Sequence, residues 1–305
     1  MTEQYQVLIL GHGEMGRAME HWLRPHHAVA VWVRRPPAGK TILLEEAAAR
    51  TDVVLFCLPA AAHHELAARL KPRLRPQALC LSIAKGLDEA GRTAAQALTQ
   101  ALGEQVACGV LYGPMISEEI LAGKPAFADY GSPRAETFGR VQALFRQTPL
   151  ALRYTADVPG ISWSAVLKNV YAILFGVADG LDLGDNMRGY LAAAAVHEIA
   201  QIVEGLGGVA TTPYRLAGLG DLITTATSRG SHHHELGRQL ARGATALEGE
   251  GVHTAHTIRA RALFDYRPYP LFRLIVRLLD EPGAARALLG AHLAELRREA
   301  NARRD

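Results

Sequence analysis

The stretch QVLILGHGEMG, residues 6–16, joins a short apolar run to three closely spaced glycines and decides the fold of the N-terminal half. The apolar run predicts a β-strand that stops at Gly11, and the residues that follow have apolar side chains at helical spacing. A GxGxxG pattern between a strand and a helix is typical of a dinucleotide-binding turn. Gly11 permits the tight turn, Gly13 lets a pyrophosphate approach the backbone, and Gly16 lets helix and strand pack closely. We therefore predict a cofactor site here, with a ligand-free glycine-rich turn as the alternative.

The rest of the first half continues this alternation of strands and helices. Apolar runs predict further strands at 28–33, 51–58, 78–84, 106–113 and 124–131. Helical spacing predicts helices at 15–25, 62–74, 91–102 and 136–147. From about Val158 onward, the pattern is one helix after another. The sequence therefore predicts an α/β protein, with a Rossmann-like parallel-sheet domain over 1–156 and an all-helical domain over 157–305.

Composition narrows the class of protein further. The hydrophobic content of 49% with 21% charged residues is ordinary for a globular chain, and a net charge of +3 is too small to indicate a nucleic-acid partner. There is no window of ~18 consecutive apolar residues, so no membrane span is expected. Cys57, Cys80 and Cys108 lie in strand-like surroundings without CxxC spacing, which favours reduced, buried thiols. We expect a cytoplasmic protein with a small-molecule substrate.

The end of the second predicted strand bears on the choice of cofactor. An acidic residue there would bind a ribose 2′-hydroxyl, whereas arginine accommodates a 2′-phosphate. This chain reads VWVRRPP, with Arg34 and Arg35 at that place and no acidic residue until Glu45. The pattern favours NADP(H), while NAD(H) remains possible. Two solvated loop arginines are the alternative.

Lysine is rare in this chain, with 5 lysines against 28 arginines, so each lysine is informative. Lys85 ends a predicted strand in LSIAKGLDE, and Lys168 lies inside the apolar helix SAVLKNVYAIL. Burial of Lys168 beside a cofactor would lower its pKa towards neutrality and suit it to proton transfer. A lysine that reaches past apolar neighbours to solvent is the alternative.

Longer motifs give the chain a family resemblance. KNVYAILFGVADGLDLGDN (168–186) and LAGLGDLITTATS (216–228) resemble the C-terminal domain of the NAD(P)-dependent glycerol-3-phosphate dehydrogenases. The same family's other signatures are matched in order by GHGEMG at 11–16, SIAKGLD at 82–88, GP at 113–114 and GEGVHTA at 249–255. The resemblance implies an oxidoreductase that transfers hydride between NAD(P)H and a small keto or hydroxy substrate, dihydroxyacetone phosphate or sn-glycerol 3-phosphate. It also implies a homodimer.

The resemblance implies roles for residues at matching positions. Lys168 matches the lysine that protonates the ketone oxygen as hydride arrives, and Lys85 and Asp221 complete the catalytic set. The implied substrate-binding residues are Lys85, Gly113, Asn169, Asp221, Thr225, Ser231, His232 and His233. The implied cofactor-binding residues are Gly11, Gly13, Glu14, Met15, Gly16, Arg34, Arg35, Pro59, Lys85, Ser117 and Glu250.

Two segments depart from the family pattern. The family reads SRNR, whose arginine and asparagine grip the substrate phosphate, where this chain has SHHH at 231–234. Met115 in GPMIS replaces a small hydroxyl residue. Imidazole lacks the bidentate fork of a guanidinium, so a divergent member acting on another polyol phosphate or hydroxy acid remains an alternative. A non-catalytic NADP-binding sensor is another, against which the retained Lys85, Lys168 and Asp221 argue.

The three consecutive histidines of TSRGSHHHELG (227–237) allow several interpretations. Neighbouring helical residues point ~100° apart, which is unfavourable for a metal site, and we expect no metal. Ser231 could cap a solvated helix start. Alternatively, His232 and His233 face the substrate, with Arg229 reaching in. Imidazolium groups there would make the substrate KM rise as pH climbs through ~6–7.

Overall fold

The computed structural model of the chain describes residues 5–36, 42–228, 231–245 and 248–302. Arg229, which the sequence places near the substrate, lies outside these described residues.

A single sheet forms the N-terminal half. Within the described residues its strands are β1 Gln6–Leu10, β2 Ala28–Trp32, β3 Val53–Phe56, β4 Leu79–Ser82, β5 Ala107–Tyr112, β6 Ala126–Gly131 and β7 Leu150–Thr155. Their order in the sheet is β2-β1-β3-β4-β5-β6-β7. The first five strands are parallel, whereas β6 pairs antiparallel with β5 and parallel with β7. The predicted Rossmann-like sheet is thus confirmed as a mostly parallel one.

Helices cover the sheet and build the second half. In the described part of the chain they are α1 Glu14–Leu23, α2 Leu44–Ala49, α3 His63–Leu70, α4 Ala94–Leu102, α5 Ser117–Leu121, α6 Phe138–Phe145, α7 Val158–Gly180, α8 Gly184–Gly205, α9 Asp221–Thr227, α10 His232–Ala241, α11 Glu250–Arg261, α12 Pro270–Asp280 and α13 Ala285–Ala302. The change from strands to helices falls between Thr155 and Val158.

The central strands are buried on both faces, as their uninterrupted apolar runs predict. Ile9 and Leu55 pack into the core on one face of the sheet, and Leu8 and Val54 pack into the core on the other. In register, Leu10 lies beside Phe56 of β3. The carboxyl ends of β1, β3 and β4 therefore meet at one edge of the sheet, where an open α/β sheet normally binds its ligand.

Helix α7 is the centre of the helical half. Its length and mean hydropathy of 1.4 would allow it to cross a membrane, but that apolar window is entirely buried within the protein. Helices α8, α9, α10 and α11 all contact it. We therefore assign α7 as a core helix, and it positions Lys168 and Asn169 from inside this core.

Helix α10 lies unusually close to α7. A Cβ on Gly176 would overlap the carbonyl oxygen of His234, and a Cβ on Gly237 would overlap the carbonyl oxygen of Ile173. Because the two backbones touch at these glycines, the start of α10 has a fixed position relative to α7. That start carries the three histidines.

Candidate active site

Three charged side chains from distant parts of the sequence meet in the interior. Lys85 Nζ donates to Oδ2 of Asp221 at 2.6 Å, and Lys168 Nζ lies 3.2 Å from the same oxygen. Lys85 Nζ also donates to the carbonyl oxygen of Gly113 at 3.1 Å. Lys85 follows β4, Lys168 is in α7 and Asp221 begins α9, so the fold brings together all three residues of the predicted catalytic set.

The surroundings of Lys168 favour proton transfer. Its Nζ donates to Oγ1 of Thr225 at 2.6 Å, and that hydroxyl donates to the carbonyl oxygen of Asp221 at 2.7 Å. Burial lowers the pKa of Lys168 to about 8, with Asp221 acting against the shift and Lys85 adding to it. Although burial opposes ionisation of Asp221, the two ammonium groups hold the pKa of this carboxyl below its usual value. Lys168 is therefore a cation at neutral pH whose proton is easily given up.

The cluster opens into a cavity of about 320 Å³. The predicted catalytic and substrate residues on its wall are Lys85, Lys168, Asn169, Asp221, Thr225, Ser231, His232 and His233. The predicted cofactor residues on its wall are Glu14, Met15, Ser117 and Glu250, together with Lys85. Gly113 contributes through its carbonyl oxygen to the position of Lys85.

Several wall residues were not predicted from the sequence. They are Ile116, Glu118, Thr224 and Ser228. Met115, which the resemblance places where the family has a substrate-contacting hydroxyl residue, is also on the wall. Asp221, Thr224, Thr225 and Ser228 follow the spacing i, i+3, i+4, i+7, which puts them on one face of a helix. This spacing is visible in the sequence and would have identified Thr224 and Ser228.

A second cavity, of about 290 Å³, adjoins the first at the carboxyl ends of the central strands. Both cavities are lined by Met15, Lys85, Met115 and Glu250. The wall of the second also includes Cys57, Leu58, Pro59, Ile83 and Ala84. This largely apolar space extends from the glycine-rich turn to the lysines, so a long ligand bound at the turn could reach Lys168.

The glycine-rich turn fits a pyrophosphate. Gly11 has a φ of +95°, and a Cβ there would overlap the carbonyl oxygen of Cys57. A Cβ on Gly16 would overlap the carbonyl oxygen of Gly11, whereas a Cβ on Gly13 would meet nothing within 4 Å. Gly13 is the N-cap of α1 and gives it no side-chain cap, so the first-turn N–H groups are available to an anion.

A buried polar atom beside the cavity has no hydrogen-bond partner among the described residues. Asn169 Nδ2 donates to Oε2 of Glu250 at 3.2 Å and, at 3.4 Å, to the carbonyl oxygen of Lys85. Asn169 Oδ1 is buried and accepts no hydrogen bond from the described residues. Burial raises the pKa of Glu250, against the effect of Lys168 and Lys85. An unsatisfied amide oxygen at this depth is expected to accept a hydrogen bond from a bound ligand.

The two arginines after β2 lie apart from both cavities. Arg34 and Arg35 are exposed, and Arg34 Nη2 lies 3.2 Å from Oε2 of Glu65 in a surface ion pair. Their contact with a 2′-phosphate stays a prediction.

The three histidines point in different directions. Ser231 Oγ accepts a hydrogen bond from the backbone N–H of His234 at 3.3 Å, so Ser231 caps α10. His232 and His233 line the cavity. His234 turns to the opposite side, where its Nε2 lies 2.7 Å from Oδ2 of Asp179. Ser231 therefore caps the helix as predicted, and the contact of His232 and His233 with a substrate stays a prediction.

His233 is neutral in the physiological range. Burial lowers its pKa to about 3, and Lys168 adds to the effect. The prediction that an imidazolium forms at this position, and that the substrate KM follows its titration through pH 6–7, is therefore wrong for His233. Among the described residues, no group of three His, Cys, Asp or Glu side chains is arranged to hold a metal ion.

Comparisons with known proteins agree with this geometry. The model of the NAD-dependent glycerol-3-phosphate dehydrogenase N-terminus matches residues 39–137, and the model of the C-terminus of the same enzymes matches residues 157–289. A glycerol-3-phosphate dehydrogenase [NAD(P)+] from Deinococcus radiodurans is 35% identical, with 91% of this chain and 92% of that protein covered.

Further relatives cover the chain to a similar extent. The enzyme of the same name from Acaryochloris marina is 33% identical, with 90% of each chain covered. The crystal structure of glycerol-3-phosphate dehydrogenase from Coxiella burnetii superposes with a TM-score of 0.82 at 25% identity, over 94% of this chain and 99% of that one. Family models, relatives and fold all agree, and the chain therefore belongs to the NAD-dependent glycerol-3-phosphate dehydrogenase family.

Proposed function

We propose that the chain is an NAD(P)-dependent dehydrogenase that interconverts dihydroxyacetone phosphate and sn-glycerol 3-phosphate. The observation that carries the proposal is the buried Lys168–Asp221 pair at 3.2 Å, on the wall of a cavity that adjoins the glycine-rich turn. The names of the curated relatives support the choice of substrate, since both relatives described above are glycerol-3-phosphate dehydrogenases.

The protein's part in the reaction is to hold the ketone and to move one proton. When bound, NAD(P)H supplies the hydride that goes to the carbonyl carbon. Lys168 Nζ gives its proton to the carbonyl oxygen, on which negative charge develops. Asp221 orients the ammonium, and Lys85 adds a second positive charge beside the developing alkoxide. In alcohol oxidation Lys168 takes the proton back.

Two sets of residues would hold the cofactor. The N–H groups of the turn from Gly11 to Gly16 would bind the pyrophosphate, and Glu14 lies in the first helical turn beside them. Met15, Pro59, Ser117 and Glu250 line the space that leads from the turn to Lys168. We further propose that Arg34 and Arg35 favour NADP(H) over NAD(H), because guanidinium groups bind a 2′-phosphate well.

The organisation of the chain is part of the proposal. Residues 1–156 would form the dinucleotide-binding domain, and residues 157–305 would form the substrate and dimerisation domain of a homodimer. The change from β7 to α7 at this boundary supports the division. Free, buried thiols at Cys57 and Cys80, whose pKa values burial raises, suit a reducing cytoplasm.

One experiment tests the central proposal. Purified protein is mixed with NADPH or NADH and dihydroxyacetone phosphate, and cofactor oxidation is followed by absorbance. Lys168→Met is expected to abolish turnover while the cofactor Kd, measured by fluorescence titration, stays within about threefold. Cofactor binding without turnover of any ketone by the wild-type protein would instead support a sensor. Loss of both turnover and cofactor binding in Lys168→Met would show that the lysine is structural.

A further inference from the structure

The part of the cavity wall built by α9 and the start of α10 carries hydroxyl and imidazole groups. Its side chains are Thr224, Ser228, Ser231, His232 and His233. Hydroxyls and imidazoles can bind a hydroxyl group and a phosphate oxygen alike. In the described part of the chain, no arginine lines this cavity.

Carboxyl groups outnumber ammonium groups on the described wall of the cavity. Lys85 and Lys168 share one carboxylate, Asp221, at 2.6 and 3.2 Å. Glu14, Glu118 and Glu250 add three further carboxyl groups to the wall. His233 contributes no charge, because burial keeps its imidazole neutral. A phosphate dianion would therefore find hydroxyls, imidazoles, the N-terminus of α10 and two ammonium groups outnumbered by carboxyl groups on the described walls, and no guanidinium fork.

The part of this wall around His233 is held in place. His233 Nδ1 lies 3.1 Å from the position of a Cβ on Gly251, and the carbonyl oxygen of Asn169 lies 2.8 Å from that position. The His233 ring is thus enclosed between α7, α10 and the start of α11. His234 fastens the same helix to Asp179 of α7 at 2.7 Å. The His233 imidazole therefore forms part of a fixed wall, and a substrate meets it at a defined position.

We propose that His232 and His233 determine the specificity of this site and let it reduce unphosphorylated hydroxyketones, such as dihydroxyacetone, as well as the phosphorylated substrate. The inference rests on the proposed function, because both substrates use Lys168 and the same cofactor. Hydride from C4 of NAD(P)H adds to the carbonyl carbon, the carbonyl π bond breaks, and Lys168 Nζ supplies the proton to oxygen. The products are the triol and NAD(P)⁺, and the terminal hydroxyl group stays intact against the imidazoles.

The ratio of the kcat/KM values for the phosphorylated and the unphosphorylated ketone tests this inference. A site whose buried polar groups are built to hydrogen-bond one substrate group rejects the analogue without that group by ~10⁴-fold or more. For a wall of hydroxyls and imidazoles we expect the kcat/KM values for dihydroxyacetone phosphate and dihydroxyacetone to lie within ~100-fold of each other. Both values are measured with NADPH at one pH on the intact protein.

Substitutions at position 232 test whether this residue determines the preference between the two ketones. His232 is exposed at the mouth of the cavity, so His232→Arg should fold and place a guanidinium there. We expect this variant to favour the phosphorylated ketone by at least ~10-fold more than the wild type does, through higher kcat/KM for that ketone. His232→Lys repeats the test with a smaller cation. His256→Arg makes the same chemical change at an exposed position of α11 outside the cavity, and should leave the ratio unchanged.

Failure of this inference can be distinguished from failure of the proposed function. A wild-type preference for the phosphorylated ketone above ~10³-fold, or a ratio that neither cation at position 232 changes, would overturn the inference and leave the proposed function intact. The absence of NADPH oxidation with both ketones, while NADPH still binds, would overturn the proposed function itself.

Discussion

Lys168 Nζ lies 3.2 Å from Oδ2 of Asp221, and both side chains are buried. Each residue controls the charge of the other. The carboxylate partly offsets the desolvation that lowers the pKa of Lys168 to about 8, and the ammonium helps to hold the pKa of Asp221 down. A proton donor of this strength depends on its counter-ion as much as on its own burial.

Replacing Asp221 with Asn should therefore reduce the fraction of Lys168 that carries a proton at neutral pH. Without the carboxylate, the pKa of Lys168 falls further below about 8, because the remaining influences of burial and Lys85 both lower it. We expect kcat for ketone reduction at pH 7.5 to fall by ~10²-fold or more, as for other losses of a general acid. Asp185→Asn, at a largely exposed carboxylate in α8, is the control. An unchanged pH profile in Asp221→Asn would argue against the coupling.

The pH dependence of the wild-type reaction follows from the same pKa. Lys168 is protonated below about pH 8 and deprotonated above it. The kcat/KM for ketone reduction should therefore fall as pH rises through 8, and the kcat/KM for alcohol oxidation should rise over the same range. Initial rates in both directions between pH 6 and 10 measure this. Parallel profiles in the two directions would exclude Lys168 as the titrating group.

The two glycines at the start of α1 should respond differently to alanine. Gly13→Ala places a methyl group in open space, so the free energy of unfolding should change by less than ~1 kcal/mol while the cofactor Kd rises. Gly16→Ala places the methyl group against the carbonyl oxygen of Gly11 and should destabilise the protein by ~1–3 kcal/mol. Urea denaturation and cofactor titration of both variants test this pair. Normal cofactor affinity in Gly13→Ala would show that the turn does not approach the pyrophosphate.

The proposed preference for NADP(H) can be measured at Arg34 and Arg35. Charged hydrogen bonds contribute ~1.5–3 kcal/mol, so replacing both arginines with alanine should raise the Kd of NADPH by ~10-fold or more. The Kd of NADH should change little, because it has no 2′-phosphate. Arg146→Ala removes an exposed arginine beyond α6 and serves as the control for net charge. Equal weakening of both cofactors would contradict a role in phosphate binding.

The features that the sequence predicts best are local ones. The strand, glycine-rich turn and helix at residues 6–23 follow from a pattern that needs no distant partner. The spacing of the three histidines likewise shows that their side chains diverge, and His234 does point away from the other two. The meeting of Lys85 with Asp221, 136 residues apart in the chain, was predicted through the family resemblance. Lys168 could be identified without the resemblance, because a lysine within an apolar helix is expected to be buried.

The direction of the last strands could not be predicted in the same way. The run at 124–131 reads as a strand, but its orientation depends on β5, its partner in the sheet. A single short helix, α5, lies between these strands, and an antiparallel partner needs no full crossover helix. Strand β7 was not predicted, although LALRYT alternates in exposure along its length. An edge strand of this kind lacks the continuous apolar run that identified the others.

The glycine contact between α7 and α10 also bears on how this protein can change over evolutionary time. Because Gly176 and Gly237 keep the two backbones in direct contact, a shift of α10 would disrupt the core. Substitutions at His232 leave that contact untouched, since its side chain lies on the exposed side of the helix start. If the proposed role of His232 holds, new substrate preferences can arise by point mutation at the rim, while the contact between α7 and α10 is inherited unchanged.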